Sequence, residues 1–258
     1  MVCRVALFSV ISLLISSSVA RAQGQTASDA QALALAAQSI AALTGQASIS
    51  DVTLTGTASW LKGNAYEAVV TLVARGTTES RVEVRLDSGS RIEIRHGLSG
   101  APQGKWSNPD SSSGYYAGHN CWSDAVWFFP PLSSLAKFAN SSFVFSYVGK
   151  ETWNDLDVVH LQVHQESIFA EQSHLSAMDF YLDPTTLFPL GVAFKTHPDK
   201  DMTRDISTEI QFADYRPVEG IYVPFHIKRL QSGALVLDIK LTGVTFNSGV
   251  LENLFSIE

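Results

Sequence analysis

From residue 52 to residue 242 the chain switches between apolar and polar side chains at every second position, in one short run after another. Val52, Leu54, Ala58 and Trp60 alternate with Thr53, Thr55, Thr57 and Ser59. Val82, Val84 and Leu86 alternate with Arg81, Glu83 and Arg85, and Ile92 and Ile94 with Arg91, Glu93 and Arg95. The same holds for Val159, Leu161 and Val163, for Met178, Phe180 and Leu182, for Val223, Phe225 and Ile227, and for Leu235, Leu237, Ile239 and Leu241. Successive side chains of a strand point to opposite faces, so this period predicts strands with one apolar face and one wet face. Strands buried on both faces would read as continuous apolar runs. With the runs at 67–74, 143–148, 191–195 and 208–215 the count reaches about eleven strands, each bounded by Gly, Asn, Asp, Ser or Pro. Short connections make successive strands antiparallel neighbours. The expected fold class is therefore α+β, mostly β, with a single curved antiparallel sheet.

A sheet with one apolar face needs a cover. One segment able to supply it is a helix, capped by Ser28 or Asp29, running through the Ala/Leu-rich stretch to Leu43 and ended by Gly45. Leu33, Ile40 and Leu43 line one side of it, with Ala36 and Ala37 between them. The stretch from Gly97 to Gly118 is rich in Gly, Ser and Pro and reads as a long loop with one short strand near Trp106. It leads into the most apolar part of the chain: Trp122, Val126, Trp127, Phe128, Phe129, Pro130, Pro131, Leu132, Leu135 and Phe138. Pro130-Pro131 suits the first turn of a helix over 132–138. These two covers are short beside about eleven strands. A hydrophobic space between sheet and lid is therefore expected, the usual form of a small-molecule site. The same aromatics could instead fill the core, and the two readings differ only in residual volume.

The first 22 residues read as an export signal. Arg4 precedes the apolar run Val5 to Ile15, and Ala20-Arg21-Ala22 supplies an A-x-A cleavage site. The run is too short for a membrane span, and Cys3 precedes it, which argues against a lipid anchor. The expected organisation is a signal peptide, 1–22, and a single domain, 23–258, with no transmembrane segment in the mature chain. Removing Arg4 and Arg21, and no acid, takes the formal net charge from −7 to −9. With no basic run, nucleic acid is a poor partner. Cys121 is left alone, so no internal disulfide is available.

The order of these features resembles the periplasmic lipoprotein carrier (LolA-like) superfamily, with its lipid-binding lipoprotein and RseB-type relatives. The resemblance is carried by the opening helix from Asp29 to Leu43 and the lid-like insertion from Trp122 to Phe138. It is also carried by Phe212-Ala213-Asp214-Tyr215-Arg216, by Val218-Glu219-Gly220-Ile221-Tyr222-Val223-Pro224-Phe225-His226-Ile227, and by the closing Gly243-Val244-Thr245-Phe246-Asn247 with Leu254-Phe255. It spans most of residues 28–257. It implies a half-open β-barrel of about eleven strands with a helical lid and a cavity for acyl chains. It also implies a lid-latching arginine early in the sheet, for which Arg75 is the positional match, although Gly76 stands where the family has proline.

Few residues suggest chemistry. His160 and His164 share a strand face about 13 Å apart, too far for one metal, and read as surface histidines. His119 lies beside Cys121 at the start of the lid, without the further ligands that a zinc site needs and without the context of a thiol nucleophile. Asp199, Asp201 and Asp205 lack the ordered spacing of a calcium loop and read as a solvated turn. No phosphate-binding Gly loop or G-x-S-x-G elbow occurs. The expectation is an exported, periplasmic, non-enzymatic binding protein with no cofactor and no metal. Its ligand would be an acyl chain or other lipid-like apolar molecule, held by Trp60, Trp122, Trp127, Phe128, Phe129, Leu132, Leu135 and Phe138, and passed to or from an envelope lipoprotein or membrane-bound partner. The alternative is a protein–protein interaction or sensor module of the same fold.

Overall fold

The computed structural model describes residues 27–60, 66–98, 101–166 and 170–257. The expected signal peptide and the side chain of Trp60 lie outside what is described. Thirteen antiparallel strands form one sheet. The first six are β1 (Asp51–Trp60), β2 (Tyr66–Arg75), β3 (Glu79–Leu86), β4 (Gly89–Leu98), β5 (Ala101–Ser107) and β6 (Ser113–Tyr115). The others are β7 (Phe143–Trp153), β8 (Leu156–Gln165), β9 (Met178–Leu182), β10 (Pro189–Thr196), β11 (Ile206–Val218), β12 (Ile221–Gln231) and β13 (Ala234–Phe246). The expected count of about eleven strands falls short because the Gly/Ser/Pro-rich stretch folds as the pair β5–β6 instead of a loop with one strand.

The strand order is β6-β5-β4-β3-β2-β1-β13-β12-β11-β10-β9-β8-β7. Every neighbouring pair except β1–β13 is a sequential connection, so the edges of the sheet are β6 and β7, which follow each other in the chain. The segment joining them, residues 116–142, has to cross the open side. The sheet curls strongly. Arg229 on β12 and Glu93 on β4 come within 3.9 Å, although five strand spacings separate them, about 24 Å on a flat sheet. Register slips bend the strands at Thr55/Gly56, Tyr147/Gly149, Pro189/Gly191 and Arg229/Leu230. Gly56 allows the first of these, because a Cβ there would fall against the Lys240 carbonyl and 2.8 Å from Leu241 Cα.

The apolar positions meet on the concave face. Val52 and Leu54, Val70 and Leu72, Leu161 and Val163, Phe180, Ile227, Ile239 and Leu241 join one core with the opening helix and the lid. That helix, α1 (Ala30–Thr44), is capped by Asp29, whose carboxylate accepts from Gln31 N at 2.7 Å, and it stops at Gly45, φ 60°. It turns its small residues Ala32, Ala36 and Ser39 inward, which lets its backbone approach closely, and Ser39 donates to the Leu187 carbonyl at 2.7 Å. The lid contains short 3-10 turns at Gly118–Cys121, Pro130–Leu132 and Ser134–Lys137. The helix expected over 132–138 is thus broken at Ser133, whose backbone is extended.

One strand reverses the expected inside and outside. Ile94 of β4 faces the convex side, in a small second core with Val73 and Phe255, and Ile92 packs against it. The C-terminal turn Glu252–Phe255 covers this patch. Arg91, Glu93 and Arg95 therefore point into the concavity, as their pairing with Val84, Val82 and Ser80 requires.

Candidate functional site: a lidded cavity with a charged wall

The lid seals most of the concave face with its own side chains. Val126, Phe128, Phe129 and Leu135 are fully buried, Leu132 nearly so, and Phe138 is partly buried against the same core. Five of the residues expected to line an open apolar cavity are thus packed shut, so for Phe128, Phe129, Leu132, Leu135 and Phe138 the filled-core arrangement is the one present. Trp122 borders a separate rim cavity of about 410 Å³ with Thr77, Asp124 and Lys137. Trp127 alone of the lid aromatics faces the main concavity.

That concavity has a volume of about 350 Å³, within the usual range for small-molecule sites. Val82, Trp127, Phe194 and Leu237 form its apolar wall, and Arg91, Glu93, Arg95 and Arg229 its charged wall. Glu93 holds the charged wall together. Arg91 donates to its carboxylate at 2.7 Å and Arg229 lies 3.9 Å from it. Burial alone would push its carboxyl pKa up, but the charges of Arg229 and Arg91 and hydrogen bonds from Arg91 and Tyr116 outweigh that and hold it below the ordinary range. Burial and the neighbouring Glu93 charge raise the Tyr116 phenol in turn, so it stays protonated as the donor. Arg229 also stacks over Trp127, 5.4 Å from the ring centre. Three guanidinium groups, those of Arg91, Arg95 and Arg229, thus share the concavity with two carboxylates, the largely buried Glu93 between Arg91 and Arg229, and Asp199. The excess positive charge sits beside apolar surface, an arrangement suited to an anionic group attached to an apolar body.

Polar contacts fasten the start of the lid to the sheet. Arg95 Nη2 donates to the Asn120 carbonyl at 2.6 Å and to Ser123 Oγ at 3.1 Å, and the guanidinium lies over Tyr116. Ser80 Oγ donates to the Ala125 carbonyl at 2.6 Å. Asn120 grips the main chain of His197 in both directions, at 2.7 and 2.8 Å. Arg75, the expected latch, is elsewhere. It pairs with Glu79, reaches Glu252 at 3.7 Å and stacks on Phe255, so it clamps the C-terminal turn on the convex face. The physical reason is strand parity: Ala74 of β2 faces the core, so Arg75 cannot.

The remaining candidates resolve differently. His119 donates through Nε2 to the Pro198 carbonyl at 3.1 Å, not to the neighbouring thiol. Cys121 is buried, and burial pushes its thiol pKa up, the opposite of an activated nucleophile. His160 is buried, not on the surface, with Nε2 3.0 Å from Asp179 and Nδ1 2.8 Å from Glu151. Asp201 caps its own turn by accepting from Thr203. Asp205 leaves the acidic turn and approaches His197 and His174. Sequence reasoning missed the charged wall. Arg229 was within reach, since it continues the inward series Val223, Phe225, Ile227. Nothing local reveals that β4 turns its charges inward, because the cover of Ile92 and Ile94 comes from more than 150 residues downstream.

No family model and no curated protein sequence matches this chain. Solved structures do. A domain named for outer membrane lipoprotein sorting, from Vibrio parahaemolyticus, matches over 87% of this chain and 96% of its own, at 14% identity and a TM-score of 0.58. A DUF1329 family protein from Desulfovibrio piger matches over 90% and 98%, at 11% identity and a TM-score of 0.59. A LolA superfamily protein from Nitrosomonas europaea matches over 87% and 97%, at 10% identity and a TM-score of 0.54. Among the described residues no helix is long and apolar enough to cross a membrane. One open, curled antiparallel sheet, bridged between its two edge strands by a lid, is the LolA-like fold, and this chain has it.

Proposed function

We propose that this protein is an exported envelope binding protein, not an enzyme, and that it carries a lipid-like molecule with an acyl chain and an anionic head. The observation that carries this reading is the concavity under the lid, where Trp127, Val82, Phe194 and Leu237 adjoin Arg91, Arg95 and Arg229. The head would sit against the guanidinium wall and the chain would run beneath the lid. Chain entry requires the lid to lift, with Arg95 rather than Arg75 as its latch, and brings Phe128, Phe129, Leu132 and Leu135 against the ligand.

The packing sets a scale for the chain. Val126, Phe128, Phe129, Leu132 and Leu135 at about 2 kcal/mol each hold the lid with about 10 kcal/mol of apolar burial. At about 0.8 kcal/mol per buried methylene, a chain of about twelve carbons is needed to replace that packing in full. Affinity for fatty acids and lysophospholipids should therefore climb steeply up to about that length. The test is native mass spectrometry of protein purified from the bacterial envelope, with displacement of a fluorescent fatty acid by a chain-length series. Co-purified lipid and a length-dependent displacement support the proposal. No bound lipid and no displacement by a palmitoyl chain overturn it. The closed packing of the lid favours one other reading, an interaction module whose aromatics stay in the core, and that reading predicts the lipid-free result together with a specific protein partner.

A further inference from the structure

At the edge of the concavity, which His197 borders, three ligand-type side chains from separate parts of the chain converge at the base of the lid. His197 follows β10, Asp205 precedes β11, and His174 lies on the short helix α2 (Ala170–Leu175) between β8 and β9. Asp205 Oδ1 is 3.2 Å from His197 Nε2 and 3.5 Å from His174 Nε2. All three ligand atoms lie within 4.8 Å of one another. We propose that His174, His197 and Asp205 form a zinc site that ties α2 and the β10–β11 loop to the base of the lid.

The spacing is the first reason. Zinc bonds of about 2.0–2.1 Å to imidazole nitrogen and carboxylate oxygen place tetrahedral ligand atoms about 3.4 Å apart, and both distances to Asp205 fall close to that edge. Hydrogen bonding accounts for the His197 contact at 3.2 Å but less well for that of His174, since 3.5 Å is long for an imidazole donor. One carboxylate oxygen facing two imidazole nitrogens is what a shared cation explains.

The state of His197 is the second reason. Its side chain is fully buried, and its Nδ1 has no hydrogen-bond partner among the described residues. A neutral imidazole has one N–H and one bare nitrogen. With the proton on Nε2 it donates to Asp205 Oδ1 at 3.2 Å and leaves a bare, buried Nδ1; with the proton on Nδ1 the bare Nε2 faces the carboxylate oxygen, the arrangement that a cation between them would complete. Preorganisation is the third. Asn120 holds the His197 backbone on both sides, and the His119 ring packs edge-on against it at 5.8 Å. His174 and Asp205 are 57% and 42% exposed, which leaves an entry path and room for a water in the fourth position.

The same contacts give the site a consequence. Asn120 and His119 belong to the first turn of the lid, so a metal fixing His197 and α2 stiffens the place where the lid joins the sheet. The experiment is titration of the metal-stripped full protein, free of any histidine tag, with zinc chloride by calorimetry, repeated on His174→Gln and Asp205→Asn. Both positions are exposed enough for these variants to fold, and circular dichroism checks that they do. One zinc per chain at micromolar affinity or tighter, weakened at least about tenfold in each variant, supports the site. Absence of stoichiometric zinc binding, equal affinity in the variants, or a preference for calcium over zinc overturns it. None of these readings depends on a lipid ligand, so the fate of the acyl-chain proposal leaves this one untouched.

Discussion

Replacing Phe129 with alanine tests whether the lid belongs to the core in the ligand-free protein. Phe129 is 0% exposed, and its ring lies 6.1 Å from that of Phe246 on β13, the strand beside β1 at the middle of the sheet. Truncating a fully buried phenylalanine costs about 3–5 kcal/mol, the transfer term plus the cavity left behind. For a chain of this size each kilocalorie lowers the melting temperature by about 2–4 °C, so Phe129→Ala should melt about 6–20 °C lower. Urea unfolding followed by tryptophan fluorescence measures the loss directly, as a fall in midpoint at constant slope. Trp122→Ala is the control. That residue is partly exposed at the separate rim cavity, and its loss should cost less than Phe129→Ala. A Phe129→Ala cost below about 1 kcal/mol, far under the range for buried aromatics, would refute the reasoning. The lid would then be a loose flap in solution, and the chain-length estimate, which rests on its packing, would fall with it.

Two further perturbations separate the roles assigned here. Arg95→Ala removes charge-assisted contacts to Asn120 and Ser123, each type worth about 1.5–3 kcal/mol; amide exchange over residues 118–126 should quicken by about 10- to 100-fold while β8 to β12 stay protected, and Arg75→Ala should leave the lid unchanged. Burial pushes the Asp124 carboxyl above its ordinary 3.8, outweighing Lys137 and the donors of Ser134. The folded protein then binds more protons than the unfolded chain above pH 3.8, so this residue makes stability fall as pH rises through the window up to its raised value. Asp124→Asn cannot ionise. The difference in urea midpoint between wild type and variant should show that slope as pH rises above 3.8, and a flat difference contradicts the assignment.

The period-two pattern was enough to give a mostly β chain, antiparallel pairing and an apolar inner face, because side-chain alternation is a local property of strand geometry. Val159, Leu161, Val163, Met178, Phe180 and Leu182 all face where their spacing puts them. The helix from Ala30 was legible from its Asp29 cap and its Gly45 stop. The Pro-Pro aromatic stretch was legible as a cover, but not as a cover already packed shut, since sequence carries composition and not residual volume. The pair β5–β6 was hidden because its Gly, Ser and Pro content reads as loop, and pairing to β4 supplies what local propensity does not.

Local alternation along the chain thus determined which side chains would share a face. Which of the two faces each strand turns inward was decided by tertiary covering. At β4 the C-terminal turn shelters Ile92 and Ile94 outside, and so Arg91, Glu93 and Arg95 turn inward to meet Arg229 of β12 across the concavity. The triad of His174, His197 and Asp205 has the same origin. Its members come from the β8–β9 and β10–β11 connections, and only the curl and order of the sheet bring these together, a distance relation that no spacing in the sequence encodes.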